Sequence, residues 1–228
     1  MEKTIESKRA WGLLRRRQVV VPTWKGWLLL AVVLGPVALF AIRGLHSFLM
    51  VNAPVTGGVL VVEGWAPDYA LQSVVEEFKR DRYEHVYVTG GPIEFGAPLM
   101  EYKTYAERGA AILVKYGLAT NLVQAVPAPF VAQDRTYMAA MTLRRWWHDR
   151  GITPTRVQLI TEGLHARRSR LMFRRALGKQ VQVGVSAIGG RDYDPEHWWR
   201  YSAGVRGVIG ETVAYLYAVV LFHPGREP

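Results

Sequence analysis

Five short apolar runs, separated by stretches with helical spacing, limit the fold of this chain more than any other feature. VLVVEG, from Val59, is continuously apolar, as in a strand buried on both faces. HVYVTGG from His85, LVQAV from Leu122, RVQLIT from Arg156 and VQVGVSAI from Val181 follow at similar intervals. Between them, Pro67–Arg80, Glu101–Tyr116, Asp134–Arg150 and Ala166–Leu177 place apolar residues on one side of a helix. Pro67 suits a first helical turn, Asp134 is placed to cap a helix, and Gly117, Gly151 and Gly178 follow the helix ends. Strands alternating with helices of these lengths imply right-handed βαβ crossovers. The predicted fold is therefore α/β: a parallel sheet of about five strands, over residues 58–190, with helices on both faces.

Charge patterning adds a second part. The net charge of +10 divides evenly, because residues 1–25 hold seven Lys/Arg against two Glu. This arm leads into GWLLLAVVLGPVALFAI, Gly26 to Ile42, without a charge. Its length is at the lower limit for a membrane-spanning helix, and Lys25 and Arg43 can extend it by snorkelling. Trp24 and Trp27 stand where an interfacial aromatic belt would be, and Lys3, Lys8, Arg9, Arg15, Arg16 and Arg17 precede the span. The expectation is a cytoplasmic arm over 1–25, a single transmembrane anchor over 26–45, a linker over 46–57 and a main domain outside the cytoplasm. A cleaved signal peptide fits less well, since Pro54 follows the one small-residue cleavage candidate, Val51-Asn52-Ala53. Residues 191–228 form a helical extension. Its apolar end, Thr212–Phe222, is too short to cross a bilayer, so a last helix packing on the sheet is expected. The competing arrangement is a membrane-surface helix with Trp198 and Trp199 at the interface.

Ligands of open parallel sheets bind outside the carboxyl ends of the strands. Those ends are Glu63-Gly64-Trp65, Thr89-Gly90-Gly91, Val126-Pro127, Thr161 to His165 and Ala187 to Gly190. Glycine there permits close backbone approach and free amides, and also serves tight strand-to-helix turns. LITEGLHARRSRLMFRRAL, residues 159–177, contains five arginines. On a helical wheel Ala166, Ser169, Met172, Phe173, Ala176 and Leu177 face the sheet, whereas Arg167, Arg170 and Arg174 fall on a solvated face. His165 and Arg168 are different: a cation at a helix start opposes the dipole unless something anionic is present. They are candidate anion-holding residues, joined by Arg135 and Thr136 at the next helix start. Glu63 closes an apolar run, the profile of a general base or ligand contact. No GxGxxG follows the first strand, no GxxxxGK[ST], HExxH or GxSxG occurs, and no metal-ligand spacing or cofactor signature is present.

These segments resemble the YdcF/SanA/ElyC family of bacterial envelope proteins. The resemblance covers roughly residues 58–188. It rests on the strand ending VTGG, the segment around RTYMAA, and Thr161, His165 and Arg168 within LITEGLHARRS. Gly90 and Gly91 match the family's glycine pair and Thr136 its Asn-Thr segment. Glu162 replaces a serine, and Arg135 and Ala139 stand where asparagines are usual. The resemblance implies a Rossmann-like domain, anchored in the bacterial inner membrane, with a role in the envelope and no settled reaction. Together the readings lead to an envelope protein that binds, and can process, a phosphorylated or anionic small molecule or lipid-linked cell-wall precursor. Glu63 and His165 would be catalytic, and Gly90, Gly91, Arg135, Thr136, Thr161 and Arg168 would bind the ligand. The alternative is a tethered scaffold with a vestigial site. Nucleic acid is not an expected partner, because the arginines spread over a face and its flank rather than converging on one phosphate track.

Overall fold

The structure, a computed structural model, describes residues 19–94 and 101–224. The arm from Lys3 to Arg17 lies outside the described residues. Two compact units are present, Met1–Ile42 and Arg43–Pro228. In the first, helix α1 (Trp24–Leu49) begins and carries the charge-free run with its side chains outward; Val37 and Phe40 are among the exposed residues. This helix is long and apolar enough to cross a membrane. Its last two turns, from Arg43, belong to the second unit.

The second unit is a Rossmann-like α/β domain. Five parallel strands, β1 (Gly58–Glu63), β2 (Tyr83–Gly90), β3 (Val123–Pro127), β4 (Arg156–Glu162) and β5 (Gln182–Ile188), lie in the order β3-β2-β1-β4-β5. The continuous apolar run of β1 has the expected cause: Val59 and Val61 are buried on one face, Leu60 and Val62 on the other. Helices α2 (Asp68–Arg80) and α3 (Tyr105–Lys115) cover the Leu60 face, and α4 (Arg135–His148) and α5 (Ala166–Leu177) the Val59 face. All six residues assigned to the inner side of α5 are buried. Helix α3 starts on a capping box: Thr104 accepts from the Glu107 amide while Glu107 returns a bond to the Thr104 amide.

Three expectations change. Asp134 does stand before α4, but in the left-handed region (φ 54°) with no side-chain cap bond, so it turns the chain rather than capping it. Residues 52–57, read as linker, are tied to the sheet: Ala53 bridges Val185, the Ala187 amide donates to Asn52, and the Val55 amide donates to Gln158. The last helix, α6 (Ser202–Val220), packs on α5 rather than on the sheet. It is a single 19-residue helix, and by length and composition alone it too could cross a membrane. Gly204, Val208 and Ala218 of α6 are nevertheless buried within the domain.

Candidate functional site

Strand order reverses between β1 and β4, and the crossovers leave a crevice outside their carboxyl ends. A cavity of about 920 Å3 occupies it. Its wall brings together Glu63 from β1, Gly90 and Gly91 after β2, Arg135 and Thr136 of α4, and His165 and Arg168 at the start of α5. Thr161 is not on the wall; it is fully buried behind it and bonds the Glu63 carboxylate. The remaining lining is mainly apolar or aromatic, including Trp65, Tyr105, Phe130 and Met172.

Glu63 is 3% exposed, so its carboxylate must be satisfied by the protein. No cation bonds it directly. Instead Thr161 and Ser169 donate their hydroxyls to Oε2, the latter over 2.8 Å. Ser169 lies on the buried side of α5, so two elements fix one carboxylate at the cavity wall.

His165 and Arg168 meet an anion that belongs to the chain. Glu211 of α6 accepts from Arg168 through both oxygens, Nε to Oε2 at 2.9 Å and Nη2 to Oε1 at 3.1 Å. His165 Nδ1 lies 3.0 Å from the same Oε1 and 2.8 Å from Arg168 Nη2. One nitrogen cannot serve both neighbours in the same way. Unprotonated, Nδ1 accepts from Arg168; protonated, it donates to Glu211. Arg168 Nη1 also donates to Thr136 Oγ1 at 3.4 Å, and the Trp65 ring meets His165 edge-on with centroids 4.7 Å apart. Burial alone would push the Glu211 carboxyl up. The hydrogen bonds and charges of His165 and Arg168 reverse this and hold it at about 2. Burial likewise works against a charged Arg168, but bonding and charge pairing with Glu211 leave its pKa above the usual arginine value. A cation at the start of α5 is thus tolerated because α6 supplies its counter-ion.

Glu211 is the residue that sequence reasoning missed. It is the one charge between Gly207 and Phe222, an isolated acid in an apolar helix, the same signal that marks Glu63 in its strand. A second cavity of about 240 Å3 lies beyond it, with His165 on the walls of both cavities. Glu162 lines the smaller one, and burial, aided by Asp192 and Glu211 and opposed by His165, raises its pKa.

The other expectations fare unevenly. Arg135 is on the cavity rim, paired with Glu94 through two hydrogen bonds of 2.9 and 3.2 Å. Gly90 is there for packing, since a Cβ would fall 2.7 Å from Tyr105 Cβ and 2.9 Å from the Ala106 amide. At Gly91 a Cβ would make only ordinary contacts, 3.9 Å from the Ala128 and Pro129 carbonyl oxygens, and the Gly91 carbonyl accepts from the Tyr105 amide. Of the arginines expected on a solvated face, only Arg174 is exposed. Arg167 bonds the Phe48 carbonyl and stacks on its ring, and Arg170 donates to the Val183 carbonyl at 3.0 Å. Arg175 donates to the carbonyls of Ala218 and Phe222 at the end of α6, where a cation suits the helix dipole. The described residues include no cluster of His, Asp or Glu that could hold a metal ion. No family model, curated protein or solved structure matches the chain.

Proposed function

We propose that this chain is a single-pass protein of the bacterial inner membrane, with a cytoplasmic N-terminus. Its extracytoplasmic Rossmann-like domain would bind an anionic amphiphile: a phosphorylated small molecule or a lipid-linked envelope precursor. The orientation is supported by the excess of Lys and Arg before the charge-free run, and the membership by the resemblance to YdcF/SanA/ElyC proteins. One observation carries the ligand reading: Glu63, Gly90, Gly91, Arg135, Thr136, His165 and Arg168 share one cavity whose other walls are mainly apolar. Such a site suits a molecule with an anionic head and an apolar body. A phosphate entering it competes with Glu211 for the planar donor face of Arg168. If the ligand is turned over, His165 and Glu63 are the groups placed to move protons, and Trp65 restrains the imidazole.

The test compares a short-chain alkyl phosphate with the matching alkyl alcohol on the detergent-solubilised full chain. The phosphate should stabilise the protein by about 2–3 kcal/mol at a hundredfold excess over its Kd, read as a rise of several degrees in melting temperature, and the alcohol much less. In a double variant, Arg168→Met with Glu211→Leu, the ion pair is removed as a pair and the phosphate shift should vanish. Equal shifts with both ligands, or an undiminished shift in the variant, would sink the ligand reading. One observation favours a tethered scaffold with a vestigial site: Glu211 and Glu94 already engage Arg168, His165 and Arg135. That reading expects no shift with any anionic ligand.

A further inference from the structure

Helix α6 has two unlike sides. Inward, Glu211 meets His165 and Arg168, and Ala214, Tyr217 and Ala218 line the large cavity. Outward, Ile209, Val213, Leu216 and Val220 recur at i, i+4, i+7 and i+11, a single stripe, and each is more than half exposed. Leu221 continues it at 65% exposed, and no charge occurs from Thr212 to Phe222. An exposed helix side of this composition calls for a covering surface.

The chain itself indicates which surface. The charge-free run ends at Ile42, and the next seven residues are already part of the domain. Leu45 and Leu49 pack in one cluster with Val208 of α6 and with Trp198, and the Phe48 ring meets the Tyr215 ring edge-on with centroids 5.6 Å apart. Arg43 stacks over Trp199, 5.1 Å from its centroid. The residues that follow the apolar run in the chain are thus packed against α6 and the turn before it. Arg43 and Arg167 flank this junction, and Arg200 and Arg206 are exposed at the polar end of α6. Cations bordering an apolar stripe match an anionic lipid surface. Trp198, by contrast, is 4% exposed and is not available to lipid.

We infer that α6 lies in the plane of the membrane surface, with the Ile209–Val213–Leu216–Val220 stripe among the lipids and the cavity behind it. The inference rests on the anchoring proposed above, and it assigns the bilayer, not a second copy, as the occupant of this face. It also leaves α6 unable to cross: its middle and its C-terminal end are tied to the domain by Arg168 and Arg175.

The chain has no cysteine, so single substitutions can be labelled cleanly. Leu34→Cys in the charge-free run, Val213→Cys and Leu216→Cys on the stripe, and Lys115→Cys on the far face of the sheet each carry a bimane label. All four positions are exposed. The full-length proteins are placed in phosphatidylcholine–phosphatidylglycerol vesicles with lipids brominated near the headgroup or deep in the acyl chain. Shallow bromines should quench the Val213 and Leu216 labels about twofold or more relative to Lys115, and deep bromines should act mainly on Leu34. Quenching at Leu34 without quenching on the stripe overturns the inference and leaves anchoring intact. Loss of quenching at Leu34 itself refutes anchoring, and the inference with it. Disulfide-linked dimers through Val213→Cys, without lipid quenching, assign the face to a second copy. Deep quenching at Val213 equal to that at Leu34 means that α6 crosses. Both of these last results also overturn it.

Discussion

At the scale of single residues, Glu211 decides the electrostatics of the site. Its side chain is 12% exposed and its carboxyl is held at about 2, below its ordinary 4.5. A carboxyl depressed by folding stabilises the fold fully above its unfolded pKa and loses that contribution as pH falls through the folded value. The Glu211 interactions should therefore act in full above about pH 4.5 and fade towards pH 2, a change on the order of 3 kcal/mol. Glu211→Gln should flatten the acid limb of a melting-temperature profile between those limits. At pH 7 it should lower stability by about 2 kcal/mol, since Arg168 is left half-buried and unpaired. A variant profile parallel to that of the parent would show that other carboxylates set the acid limb.

At the scale of elements, the position of α3 depends on two glycines, Gly64 after β1 and Gly109 inside α3 itself. A Cβ at Gly64 would fall 2.3 Å from the Tyr105 carbonyl oxygen, and one at Gly109 would fall 2.9 Å from Gly64 Cα. Helix and strand backbones thus touch, and Tyr105 is delivered to the cavity wall. Gly64→Ala should cost about 3 kcal/mol, because rigid backbone must yield, whereas Gly210→Ala, within a helix and with open space beside it, should cost little. Urea midpoints measure both, and an inexpensive Gly64→Ala would remove the close-approach argument. Strands and helices were legible because apolar runs and 3.6-residue spacing report burial directly; α5 shows its whole inner face this way. Partnerships were less so. That Arg170 reaches Val183, or that Glu211 joins His165, depends on how distant segments fold together, which local periodicity does not encode. The outward stripe of α6 was hidden for another reason: Glu211 divides the apolar pattern, so only Thr212–Phe222 reads as one apolar run.

At the scale of the whole molecule, the domain core is built without the charge-free run. Every buried residue of the described chain lies at or beyond His46. A chain beginning at Arg43 should therefore melt cooperatively within roughly 5 °C of the full-length protein in the same detergent, followed by near-ultraviolet circular dichroism. A broad, non-cooperative transition would show that the first unit is needed for folding. The candidate site is discontinuous at this scale: β1, β4, α4, α5 and α6 each contribute a residue that touches another member. Of all these contributors, Glu211 is the last to be synthesised. Until α6 emerges and docks, His165 and Arg168 stand at a helix start without their carboxylate, open to any anion in their surroundings. Docking of α6 thus screens the site from within the chain, and a ligand bound earlier would have to be displaced before α6 could close.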